Sequence, residues 1–187
     1  MDPFIISTSV VALAEIGDKT QLLAFILAAR FKKPIPIIIG IFLSTIVNHG
    51  FAGLIGNWLT TLVSPDTMIY ILGVSFLAMA AWILIPDKFD ESEAKFLSYG
   101  VLTTTIIAFF LAEMGDKTQI ATVALAAKYD NYWEVITGTT FGMMLANVPA
   151  VLLGNKIANK IPVALVHKIA AGIFAVLGIA TIASKFI

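Results

Sequence analysis

Between Pro34 and Pro65 the chain carries no aspartate, glutamate, lysine or arginine. A run that long and that apolar is too long for a strand and too greasy for an exposed helix. A membrane helix needs about 20 mostly apolar residues, and this run supplies them. Five more segments of similar character lie near 3–30, 67–86, 96–127, 133–155 and 161–185. They are continuous runs rather than alternating ten-residue strands, so helices are expected and a barrel is not. The whole chain is 59% hydrophobic and 13% charged, against about 25% charged in soluble domains. Its mean hydropathy is +0.94. The expected fold is an all-α membrane protein with six transmembrane helices.

The first and fourth segments are interrupted by charge. LAEIGDKTQ occupies 13–21 and LAEMGDKTQ occupies 111–119, a displacement of 98 positions. The same displacement, without a gap, aligns residues 27–29 with 125–127, Gly40 with Gly138, Ala52 with Ala150, and Gly56-Asn57 with Gly154-Asn155. One register across two helices indicates duplication. The expected units are residues 1–86 and 96–187, three helices each, joined by a polar linker at 87–95. An odd helix number inserts the second unit upside down, as an inverted repeat about an axis in the membrane plane. Lysine and arginine near helix ends set the orientation. Arg30, Lys32, Lys33, Lys88, Lys95, Lys156, Lys160 and Lys168 fall on one side, Lys128 and Lys185 on the other. The first side is expected to be cytoplasmic and both termini non-cytoplasmic. The N-terminus has no basic stretch, so no cleaved signal peptide is expected.

Glu15 and Glu113 sit halfway along their segments, near the bilayer midplane. A charge there costs about 2.5–3.5 kcal/mol, so the motif charges must be paired, protonated, hydrated or bound to something. At about 100° per residue, a regular helix puts Glu15, Asp18 and Lys19 on one face, with Gln21 flanking and Thr20 turned away. Gly17 and Gly115 permit either close packing or a local break. The repeat axis would bring the two motifs together. Four acids and two lysines leave a charge of −2, which one divalent cation or two protons would neutralise. That is the minimal requirement for cation/proton exchange. The alternative for each acid–lysine pair is structural glue, since Glu15 and Lys19 have favourable i,i+4 spacing.

The candidate metal ligands are therefore Glu15, Asp18, Gln21, Glu113, Asp116 and Gln119. Lys19 and Lys117 balance charge permanently or act as tethered cations displaced by the ion. Thr20, Asn48, His49, Thr118 and Asn147 are candidate pore-lining positions, with packing as the other role of His49 and the asparagines. Oxygen donors suit hard cations, Ca²⁺, Mn²⁺ or Mg²⁺. The chain has no cysteine, which excludes disulfides, thiolate metal sites and cysteine nucleophiles. No nucleophile or histidine pair accompanies the acids, so an enzyme is not expected. Zero formal net charge gives no sign of a nucleic-acid partner.

The doubled E-x-G-D-K-T, at 15–20 and 113–118, resembles the hallmark pair of the Gdt-type cation/proton antiporter family. The resemblance covers essentially the whole chain, and neither motif departs from the pattern. It implies export of Mn²⁺, or Ca²⁺, in exchange for protons, with Glu15, Asp18, Glu113 and Asp116 as metal-binding acids and Thr20 and Thr118 at the family's hydroxyl positions. The compact length resembles the bacterial members, which implies a cell inner membrane. Expected partners are the divalent cation, protons and the lipid bilayer, with a homo-oligomer open. No cofactor is expected beyond the transported ion. A divalent-cation channel and an exporter of small basic organic solutes are the alternative functions.

Overall fold

The computed structural model describes residues 2–85, 100–129, 131–153 and 163–186. The linker expected at 87–95, the basic residues Lys88, Lys95, Lys156 and Lys160, and the repeat positions Gly154 and Asn155 lie outside them. Eight helices are present among the described residues: α1 Pro3–Glu15, α2 Lys19–Phe31, α3 Pro34–Leu62, α4 Pro65–Trp82, α5 Val101–Glu113, α6 Lys117–Lys128, α7 Tyr132–Leu153 and α8 Val163–Ala183.

Their starts follow from local chemistry. Proline opens α1, α3 and α4, where its missing N–H is not needed. The Asp2 carboxylate accepts from Ile5 N at 3.1 Å, and Ser64 Oγ accepts from Thr67 N at 3.4 Å. Lys32 ends α2 in the left-handed region, φ 52°, with its N–H on Ala28 O. α7 runs through Pro149 without interruption.

Of the two roles open to Gly17 and Gly115, the break is the one found. Helical geometry does not continue through the motifs. The first segment divides into α1 and α2 at residues 16–18, and the fourth into α5 and α6 at 114–116. Gly17 at φ +85° and Gly115 at φ +75° explain why. A left-handed residue cannot continue a right-handed helix, and glycine adopts that conformation without strain. Of the six segments, α3, α4, α7 and α8 are each long and apolar enough to cross a membrane. Thirteen residues make about 20 Å of helix, so α1 or α5 alone falls short of a hydrocarbon core of about 30 Å.

Each broken segment lies along the second helix of the other half. A Cβ on Gly138 of α7 would stand 2.7 Å from Phe4 O and 3.1 Å from Ser7 Cβ of α1. A Cβ on Gly40 of α3 would stand 2.7 Å from Thr105 Cβ and 3.3 Å from Leu102 O of α5. Those partners are themselves 98 positions apart, so the same contact occurs twice. Residues 123–126 of α6 continue along α3 at Gly56, while Gln21 of α2 reaches Ala146 of α7. α3 and α7 run antiparallel, with Tyr132 Oη at the start of α7 donating to Gly50 O. α4 and α8 also pack antiparallel, and Phe76 faces its own repeat-mate Phe174 with ring centroids 6.3 Å apart.

The buried apolar side chains form two clusters divided at the breaks. One is built mainly on α1, α4, α6 and α8, around Val10, Phe76, Leu125 and Phe174. The other is built on α2, α3, α5 and α7, around Leu23, Ile41, Phe109 and Val151. The motifs lie where the two meet.

Candidate functional site

The sequence D-K-T-Q after each glycine folds back on the residues before it. Asp18 N donates to Glu15 O and Asp116 N to Glu113 O, both at 3.1 Å. Each unwound glycine N–H is taken by a glutamine four residues on: Gly17 N donates to Gln21 Oε1 at 3.0 Å, and Gly115 N to Gln119 Oε1 at 2.7 Å. In hydrocarbon such a donor has no water to turn to, so the glutamine is what makes the break tolerable. The helix halves point their ends at the break. The carbonyl ends of α1 and α5 are partly negative and attract cations, while the amide ends of α2 and α6 favour the negative charge of Asp18 and Asp116. Neither aspartate side chain caps its own helix.

The two copies meet. One carboxylate oxygen each from Glu15, Glu113 and Asp116 lies within 4.8 Å of the others, and all three residues are buried. Each glutamate accepts a hydrogen bond from the threonine of its own motif. Thr20 Oγ1 donates to Glu15 Oε2 at 2.5 Å, and Thr118 Oγ1 to Glu113 Oε2 at 3.2 Å. The second oxygens, Glu15 Oε1 and Glu113 Oε1, accept no hydrogen bond among the described residues. Two like charges about 4 Å apart repel by about 4 kcal/mol at an effective dielectric of 20. Three ionised acids here therefore demand a cation, protons or both. Asp18 is also buried, at 4% exposure, but lies outside that group of three.

Each motif lysine reaches a partner outside its own motif. Lys19 Nζ reaches across to Asp116 Oδ1 of the other motif, at 3.8 Å. Lys117 is buried and donates to Ile85 O, beyond the C-terminal end of α4, at 2.8 Å.

The break moves two residue types from where a regular helix would place them. Thr20 turns inward onto Glu15 rather than away. Gln21 is engaged at both ends of its amide, with Nε2 donating to Ala146 O at 3.0 Å. The remaining candidates lie on α3 and α7. Asn48 Nδ2 donates to Phe110 O at 3.2 Å; the helix break leaves that carbonyl without its usual amide partner. Asn147 Nδ2 donates to Met143 O within its own helix. His49 is fully buried, and neither ring nitrogen has a hydrogen-bond partner among the described residues. Sequence reasoning missed His167, whose Nε2 lies 2.7 Å from Ile16 O of the first break. Its only signal was a departure from the repeat, because Ile69 stands at the matching position.

Comparison with known proteins matches residues 3–91 and 101–186 to the family described as divalent cation/proton antiporter GDT1. A Vibrio cholerae protein, provisionally named a manganese exporter, is 53% identical over 97% of this chain and 90% of its own length. A GDT1-like protein of Synechocystis is 30% identical over 81% of this chain and 82% of its own length. The Saccharomyces cerevisiae divalent cation/proton antiporter GDT1 is 24% identical over 86% of this chain and 76% of its own length. No solved structure matches.

Proposed function

The chain belongs to the divalent cation/proton antiporter GDT1 family, and from that membership we propose that it exports Mn²⁺ in exchange for protons by alternating access to the acid cluster. One observation carries the reading. Acids from two sequence copies 98 positions apart, Glu15 on one side and Glu113 and Asp116 on the other, gather within 4.8 Å in a buried setting. Lys19 stands 3.8 Å from Asp116, yet that aspartate and the two glutamates converge on one another.

The ligand chemistry is all oxygen. Glu15, Glu113 and Asp116, with Asp18 completing the charge, would hold the cation, and the threonine hydroxyls would orient the two glutamates. When the cation leaves, protons take its place on the same oxygens, so the two substrates compete for one site. Hard donors accommodate Mn²⁺ and Ca²⁺ alike; the name of the Vibrio relative favours Mn²⁺. Gln21 and Gln119, whose oxygens already accept backbone N–H groups, hold the breaks open.

In this reading α1 with α2, and α5 with α6, each cross the bilayer as one broken helix, giving six crossings in two inverted units. The doubled Gly40 and Gly138 contacts and the antiparallel α3 and α7 support it. The lysine distribution supports a cytoplasmic face at the end of α2 and an inner-membrane location.

The test is Mn²⁺-driven proton movement in proteoliposomes with an internal pH dye. Glu15→Gln and Glu113→Gln are expected to abolish the signal while the protein still purifies as a folded monodisperse species. Full exchange by both variants would remove the assignment. Reversal of Mn²⁺ flux by an imposed proton gradient separates an exchanger from a channel.

A further inference from the structure

Among the described residues, the first break is clamped from outside its own motif by α8, and the second has no such clamp from α4. His167 Nε2 lies 2.7 Å from Ile16 O. A carbonyl only accepts, so Nε2 carries the hydrogen and donates it. One turn earlier on α8, Val163 covers the glycine: a Cβ on Gly17 would stand 2.2 Å from Val163 Cγ1. At the second break a Cβ on Gly115 would meet no described atom within 4 Å. The 98-residue register places Ile69 where His167 stands and Pro65 where Val163 stands. Neither side chain can donate a hydrogen bond, so this clamp has no counterpart at the repeat-related positions.

The packing of the third helices shares this asymmetry. α8 packs on α1 and α4 packs on α6, whereas the repeat-related pairings of α8 with α2 and α4 with α5 are not comparably packed among the described residues. Exchanging one set of pairings for the other requires α8 to leave α1, and with it the bond from His167 to Ile16 O.

We propose that His167 is a positioning residue of the transport cycle, holding the unwound carbonyl of the first motif and weighting the balance of states toward the one in which α8 closes on α1. The inference rests on the exchange reading above. In a two-state exchanger the affinity seen from each membrane face scales with the population of the state open to that face. The ratio of the half-saturating Mn²⁺ concentrations at the two faces therefore reports the balance. A purely structural role would move both values together.

The experiment uses the full chain in proteoliposomes of determined orientation, with Mn²⁺ as the probe. His167→Ile installs the residue type of the repeat-related position, and the ratio is expected to shift about fivefold in favour of the face bearing the N-terminus, the worth of one net hydrogen bond. His167→Gln keeps an N–H donor and is expected to stay near the parent ratio. Should His167→Ile fail to fold, Ile69→His leaves the first clamp intact but favours the closure of α4 on α5, and is expected to shift the ratio the same way as His167→Ile. A second readout needs no transport. The chain has no cysteine, so cysteines at Ile6 and Ile173, which line the groove between α1 and α8, can be cross-linked. The yield is expected to fall in His167→Ile and to hold in His167→Gln. An unchanged ratio and yield in His167→Ile, or equal changes in both variants, would overturn the proposal. A parent protein that moves no Mn²⁺ would overturn the exchange reading instead, and the cross-linking yield would still decide the clamp.

Discussion

Gln21 and Gln119 occupy equivalent places in the two motifs but carry unequal loads. Gln21 is 8% exposed and bridges Gly17 N to Ala146 O, so its removal orphans a backbone donor and cuts the tie between α2 and α7. Gln119 is half-buried and accepts from Gly115 N. Leaving a buried polar group unsatisfied costs about 1–3 kcal/mol. Gln21→Leu should therefore destabilise by roughly 2–3 kcal/mol and Gln119→Leu by about 1 kcal/mol, read by chemical unfolding in detergent micelles. The sequence reading gave these carbonyls to the cation. That assignment makes the opposite forecast, in which Gln21→Leu weakens Mn²⁺ affinity and leaves stability alone. The identity of the acids was legible in the sequence because intramembrane charge is costly. The work of the glutamines was not, because it depends on a backbone that has already left the helix.

The two broken elements are where the sequence left two readings open and the structure shows one of them. Six segments could be read from hydropathy, and α3, α4, α7 and α8 lie close to the expected ranges. Gly17 and Gly115 were ambiguous between packing and breaking, because a glycine followed by good helix formers does not announce its φ. Once both are known to sit at positive φ, their differences become predictive. An alanine at either site meets the left-handed penalty of about 1–2 kcal/mol. At Gly17 it also meets Val163, with Cγ1 2.2 Å and Cγ2 3.0 Å from the new Cβ, whereas at Gly115 it meets no described atom within 4 Å. Gly17→Ala should therefore lower the melting temperature more than Gly115→Ala does. Val163→Ala should recover part of the Gly17→Ala loss and none of the Gly115→Ala loss. A double-mutant cycle on thermal unfolding measures the coupling, and a coupling of zero would mean that α8 does not press on the first break.

Across the whole molecule, one sequence register spans the chain, and two residues that it pairs, Phe76 and Phe174, lie in contact. What the register could not show is where the two halves differ. His167 holds Ile16 O of the first break, while Ile69 stands at the matching position. The charge count does not depend on that difference. Four motif acids and two motif lysines leave −2, with half of each contributed by each copy. If the lysines stay charged throughout, the site returns across the membrane with the same total charge whether it carries one Mn²⁺ or two protons. Exchange should then be electroneutral. Moving one net charge against the membrane potential would be worth about 2.3 kcal/mol per 100 mV, an effect too large to miss. A potassium diffusion potential imposed with valinomycin should therefore leave the steady-state Mn²⁺ gradient unchanged at fixed pH difference. A gradient that follows the imposed potential would mean that a lysine gives up its proton during the cycle, or that one proton rather than two replaces the cation.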